Sequence, residues 1–196
     1  MSAERKQDRR KDVDITWEMI KEIGEFERHF NQLEHQYRVL ASTWLLGVFV
    51  AAGYVLTSEL EFVFTKEFLI AIVAFFGAVG ITLLWYIDVM VFHQLLAAHF
   101  SAGVKLEKEN CWLPKTRSDM LKRLGGRGVA PRIAWFYIGG NIVVLSIEVM
   151  SLSVWLFTRN GASLGDYALV IFALLVSIIW NYLIYRKTVK TLPETR

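Results

Sequence analysis

Cysteine is almost absent. Cys111 is the only one in 196 residues, so no intrachain disulfide framework can form and no CxxC pair exists. The sequence also lacks H-E-x-x-H, a ladder of histidine boxes, G-x-S-x-G, and any pair of carboxylates within its apolar runs. These gaps leave zinc hydrolases, nucleophile-elbow hydrolases and carboxylate-pair chemistry without their residues. The Gly125-Gly126-Arg127-Gly128 run has no Walker lysine and serine or threonine after it, so it reads as a turn and not a phosphate loop. No inverted repeat is visible, which speaks against a secondary transporter. The most telling shortage is of charge. Four long stretches carry almost none, although 21% of the chain is charged.

Those stretches are what the sequence has in abundance. Residues 39–58, VLASTWLLGVFVAAGYVLTS, and 68–87, FLIAIVAFFGAVGITLLWYI, are uncharged, as is 167–185; residues 133–157 carry one charge, Glu148. About 20 apolar residues cross a hydrocarbon layer of roughly 30 Å. The chain is 54% hydrophobic and its mean hydropathy is +0.36. The expected fold is therefore all-α: an integral membrane bundle of four spans. The segments read as follows: 1–13 a mobile basic N-terminus, 14–38 an amphipathic helix, 39–58 and 68–87 the first two spans, 88–110 a helical extension of the second. Then come 111–132, a basic connection, 133–157 and 167–185, the last two spans, and 186–196, a tail. The bilayer itself is the first expected partner.

Lysine and arginine are unequally shared between the two sides. One side, comprising both termini and the 88–132 connection, holds 20 of them, and the other holds Lys66 and Arg159. The positive-inside rule places both termini in the cytoplasm and the protein, as a multi-pass chain, in a cell inner membrane. Basic stretches of this kind are read as topology signals and lipid contacts; no specific nucleic acid is expected.

Residues 14–38 carry a seam, Met19, Ile23, Phe26, Phe30, Leu33 and Tyr37, spaced in alternating threes and fours and continued by Leu40. No proline lies between it and the first span, so one helix is expected to run through both. The seam needs a cover: the 88–110 extension, whose Val89, Phe92, Leu96, Phe100 and Val104 form an apolar stripe, or the same helix of another subunit. With the first cover, the first two helices extend into the cytoplasm as an antiparallel stalk. Trp112-Leu113-Pro114 should end the second of them, with a short basic helix over 115–124.

Candidate functional residues fall into three groups. His29, His35, His93 and His99 all lie on the expected stalk, at levels that could pair His35 with His93 and His29 with His99, with Asp88 near enough to orient a ring. The i+6 spacing within each helix turns its two histidines to different faces, so no metal and no cofactor is expected. Within the membrane, Glu148 lies about 14 Å from the outer end of its span. A carboxylate there should face the bundle interior, a water-filled cavity or a hydrogen-bonding neighbour, or be held protonated. Asn141 and Asn181 lie nearer the cytoplasmic side and are expected to pair with each other. Finally, Ala74, Gly77, Ala78 and Gly80 make a small-residue face that permits close helix approach within or between subunits.

The layout of 14–110, in which the charged helix EFERHFNQLEHQYR runs into the span ASTWLLGVFVAAGYVL, with a short outer loop, a second span and a long cytoplasmic helix beyond, resembles the SLATT-type membrane effectors of bacterial defence and nucleotide-signalling systems. That resemblance implies membrane disruption or pore formation in antiviral defence. It covers about half the chain, which departs from the pattern by adding a second pair of spans, and no residue role carries over. The expected function is thus an oligomeric membrane effector or permeability component. The alternative is a non-conducting anchor or sensor that recruits a cytoplasmic protein. An enzyme acting on lipid headgroups has only the histidine and Asp88 cluster in its favour.

Overall fold

Breakers are so sparse that helices run long. The computed structural model describes residues 3–59, 64–123, 130–158 and 163–191, and every regular element in it is helical. Helix α1 (Ala3–Thr57) is unbroken for 55 residues. Residues 3–13, read from sequence as a mobile terminus, form its first turns, because alanine, glutamate, lysine, glutamine and arginine are all good helix formers and no breaker interrupts them. Its end is satisfied by Lys66, whose Nζ reaches back to the carbonyl oxygens of Leu56 and Ser58.

Helix α2 (Lys66–Trp85) starts at Thr65, whose hydroxyl accepts the Phe68 N–H. It passes into a π-helical segment, Tyr86–Phe92, and then into α3 (His93–Glu109). Trp112-Leu113-Pro114 follows, and α4 (Thr116–Arg123) is a short basic helix. Helix α5 (Ala130–Thr158) and helix α6 (Leu164–Thr191) complete the chain. A reciprocal box starts α6: the Ser163 N–H donates to Asp166 Oδ2 at 2.8 Å and the Asp166 N–H to Ser163 Oγ at 3.3 Å. The GGRG turn lies outside the described residues.

The chain divides into two compact units. One comprises 1–36, 91–128 and 194–196; the other comprises 37–90 and 129–193. In the second unit α2 and α5 make the core. Ala74, Ala78, Ile81 and Trp85 of α2 bury against Ala134, Tyr137, Ile138 and Val144 of α5, with Ala41 and Val48 of α1 and Ile184 of α6 closing the sides. A second cluster joins Ala52, Val55 and Ile70.

Outside that core, apolar side chains point away from the protein. Phe172 is 68% exposed, Ile171 60% and Ile178 59%. Only 6% of the most apolar stretch of α6 is buried, and even for the helix containing α2 the share is 39%. A water-soluble fold hides such residues. Four helices are long and apolar enough to cross a membrane, which marks a membrane protein.

In the first unit the α1 seam meets α3 through aromatic rings. Phe26 and Phe30 pack on His99 with centroids 4.9 and 5.3 Å apart, and Phe30 packs on Phe92 at 6.5 Å. The cover is incomplete. Ile23, Phe30, Leu33 and Tyr37 are half-buried, while Met19, Phe26 and Leu40 remain exposed.

Candidate functional site

The most buried charge in the second unit is Asp88, in the π-helical segment. Such segments widen the helix by one residue and recur where a side chain has been re-aimed. The Asp88 side chain is fully buried, and its Oδ2 accepts from Arg38 Nε at 3.2 Å and from the Tyr137 hydroxyl at 2.9 Å. Tyr137 is itself fully buried. One carboxylate thus ties together α1, the π-helical segment and α5. A buried carboxylate is tolerable only with such partners. Sequence reasoning set Asp88 beside His93; the structure gives it Arg38 and Tyr137 instead. One turn earlier, Trp85 Nε1 donates to Thr188 Oγ1 at 3.1 Å, which fastens α6.

A second polar layer centres on Thr82. Asn141 Nδ2 donates to its Oγ1 at 3.2 Å and Trp180 Nε1 at 3.0 Å, while the Thr82 hydroxyl donates to the Ala78 carbonyl. The expected Asn141–Asn181 pair does not form. Asn181 Nδ2 donates to Ser177 O, within its own helix, and the neighbouring Trp180 reaches Thr82. Local geometry wins, because a carbonyl one turn back is always within reach of an asparagine amide. The Oδ1 atoms of both asparagines are buried with no partner among the described residues, which is unusual for strong acceptors.

Glu148 lies further along α5. At 100° per residue, Tyr137, Asn141, Val144, Glu148 and Ser151 all fall within about 40° of one line on the helix. Tyr137, Asn141 and Val144 are fully buried and Ser151 nearly so. Glu148 shares their face but is only half-buried, and it makes no hydrogen bond or ion pair with a described residue. Ser146 and Ser177, hydroxyls on α5 and α6, donate to their own helices at Ile142 O and Ala173 O.

The small-residue face is occupied within the chain. Ala74 and Ala78 are core residues. A Cβ on Gly77 would meet Val48 at 2.7 Å and Val144 at 3.2 Å, and one on Gly80 would overlap the Trp44 indole. Trp44 Nε1 donates to the Gly77 carbonyl at 3.1 Å, so both glycines make room for α1.

In the first unit the four histidines differ in their surroundings. His93 Nδ1 lies 2.9 Å from Glu34 Oε1, and both side chains are largely buried. His99 sits among Phe26 and Phe30, with its Nδ1 at the Leu95 carbonyl. His29 and His35 are exposed. Glu34 and not His35 reaches His93, because the helical step that turns Glu34 inward carries the next residue outward. Among the described residues, no three of His, Cys, Asp and Glu gather as a metal site requires.

Sequence reasoning missed a denser cluster. Arg117, at the start of α4, forks onto Glu27 with bonds of 2.7 and 2.9 Å and lies 3.6 Å from Glu107. Glu107 is almost fully buried; it accepts the backbone N–H of Arg117 and of Ser118, both at 2.9 Å, and the Ser118 hydroxyl at 2.8 Å. Burial pushes the Glu107 carboxyl up, but these hydrogen bonds and the Arg117 charge outweigh it and hold the group below its usual 4.5. The Glu27 carboxylate raises Arg117. Gly103 is what lets the guanidinium in, since a Cβ there would lie 2.6 Å from Arg117 Cδ and Nε. The available signal was a glycine in an otherwise strong helix, four residues before a glutamate.

Comparison with protein-family models, with curated proteins and with solved structures finds no match.

Proposed function

We propose that this chain is a multi-pass inner-membrane protein with both termini in the cytoplasm, acting in oligomers as a permeability component or membrane effector. A role in bacterial defence follows from the resemblance of residues 14–110 to SLATT-type effectors. The observation that carries the reading is Glu148. It stands on the buried face of a membrane-length helix, half-exposed and without a partner among the described residues. A carboxylate is retained at such a depth at high cost, and water or ions give it a reason to be there. The ring contacts of α1, in which Phe26 meets His99 while Phe30, further along, meets both His99 and the earlier Phe92, support an antiparallel cytoplasmic pair.

Expression with a potential-sensitive dye tests the reading. The wild type depolarises cells and Glu148→Gln does so less. If neither protein changes the potential, even beside its genetic neighbours, the reading falls. A second reading, an anchor for a cytoplasmic protein, is favoured by the exposed Trp17, Met19 and Phe26 of the first unit. Its test is capture of a stoichiometric partner that Phe26→Glu abolishes.

A further inference from the structure

The buried face of α5 carries a discontinuous polar line through the second unit. At one end Asp88 and Tyr137 are joined, with Arg38 beside them. One turn on, Asn141 holds Thr82 through its nitrogen and leaves a fully buried carbonyl oxygen without a donor among the described residues. Val144 follows, wholly buried and packed at Gly77 with Val48. Then comes Glu148, and beyond it the buried Ser151. From Asn141 to Glu148 the helix rises about 10 Å. The Asn141 and Val144 side chains along it are closed to water at rest, and bridging that rise when the helices part would take three or four waters at the ordinary O–H···O spacing of about 2.8 Å.

We propose that this line is a proton route within one copy of the chain: Glu148 is the proton-carrying group, the orphan Asn141 oxygen anchors the water file, and Val144 is the dry step that interrupts it. The inference rests on the permeability reading and narrows it to one permeant species. Size decides for the proton. Val144 and Val48 lie so close over Gly77 that even an added Cβ would meet them at 3.2 and 2.7 Å, far too tight for a hydrated cation, whereas a proton needs only a transient chain of hydrogen bonds. Chemistry agrees, because beyond the Asp88 end the line offers one carboxylate and otherwise neutral oxygens, too little to strip the water from a metal ion. The balance closes in a cycle. A proton from one side binds the Glu148 carboxylate; the neutral carboxyl passes it to the first water of the file; the last water gives one to the Tyr137 oxygen, whose own proton moves to Asp88; and Asp88 releases it to water on the exposed third of Arg38, so that Glu148 and Asp88 are again anions and Tyr137 is again a neutral phenol.

Purified protein in vesicles tests this, with a pH-sensitive dye inside, a potassium ionophore to set the potential, and separate vesicles loaded with potassium alone or with a small anionic dye. The wild type passes protons and retains potassium and dye. Glu148→Gln falls to the level of protein-free vesicles, Glu148→Asp keeps part of the flux, and Val144→Ala, which opens the dry step, raises it. Thermal melting in detergent confirms that each variant folds. Equal proton flux in wild type and Glu148→Gln overturns the proposal. So does leakage of potassium and dye in parallel with protons, although the permeability reading would then stand. Vesicles tight to all three remove that reading and the route with it.

Discussion

Arg38 and Asp88, fifty residues apart in sequence, meet as guanidinium and carboxylate at 3.2 Å, where the uncharged runs of α1 and α2 end. Asp88 is sealed from solvent while Arg38 is about one-third exposed. The pair is therefore unequal. Arg38→Ala removes the countercharge of a buried carboxylate that keeps the Tyr137 hydroxyl and should cost about 2–3 kcal/mol, whereas replacing both partners by methionine should restore much of that loss. The exchanged pair, Arg38→Asp with Asp88→Arg, should fail, because the Asp88 site has no room for an arginine. Thermal melting of the detergent-purified protein ranks the variants.

Glycines separate into two classes. Gly77 and Gly80 lie against Val48 and Trp44, whereas a Cβ on Gly47 or Gly53 would meet nothing within 4 Å. Gly80→Leu should cost about 1–3 kcal/mol by forcing the α1 indole away. Gly47→Ala should be neutral or stabilising by up to about 1 kcal/mol, since alanine is the better helix former. Similar melting shifts for Gly80→Leu and Gly47→Ala would disprove the close α1–α2 approach.

The Glu107 carboxyl titrates lower in the folded protein than its ordinary value of 4.5. A depressed carboxyl contributes stability above its unfolded value and loses it as pH falls through the folded one. The docking of α4 should therefore loosen on acidification below about pH 4.5. Hydrogen exchange over 116–123, corrected for the intrinsic rate, should accelerate in that window. Glu107→Gln should exchange fast already at neutral pH and show no acid step.

The lone thiol reports topology. Cys111 is exposed, and the orientation proposed above puts it inside the cell. A membrane-impermeant maleimide should leave it unmodified in intact cells and label it after the inner membrane is opened. Labelling of intact cells would invert the proposed orientation.

Long elements were legible in the sequence because hydropathy acts over twenty residues and tolerates local error. The four apolar runs, but for Ser58, all fell in helical stretches that continue beyond them: run 68–87 spans α2 and enters the π-helical segment, and α6 continues through Arg186 and Lys187, where nothing breaks it. Polar partnerships were less legible, because they depend on rotation and register that no single run encodes. Asn141 and Asn181 invited pairing by depth alone, yet Thr82 and Ser177 took them. The level of His93 was read correctly enough to place it near residue 35, but one residue is a 100° turn, and that turn chose Glu34. The π-helical segment left no mark beyond an aspartate at the end of an apolar run. Arg38 and Asp88 could have been found, since each is the first charge beyond its uncharged run, and opposite charges at one depth have reason to meet.

Helix α6 holds to its neighbours through few side chains, Trp180, Ile184 and Thr188 foremost. Its exposed side chains, Ile171, Phe172 and Ile178 among them, have no fitted counterpart among the described residues. Fluid acyl tails select for oiliness and not for shape, so leucine, isoleucine, valine and phenylalanine should exchange freely at 171, 172 and 178. The same swaps at Ala74 or Ala78 would meet a rigid wall. Two helices of comparable greasiness should thus evolve at very different speeds, the outer one drifting while the inner one stands still.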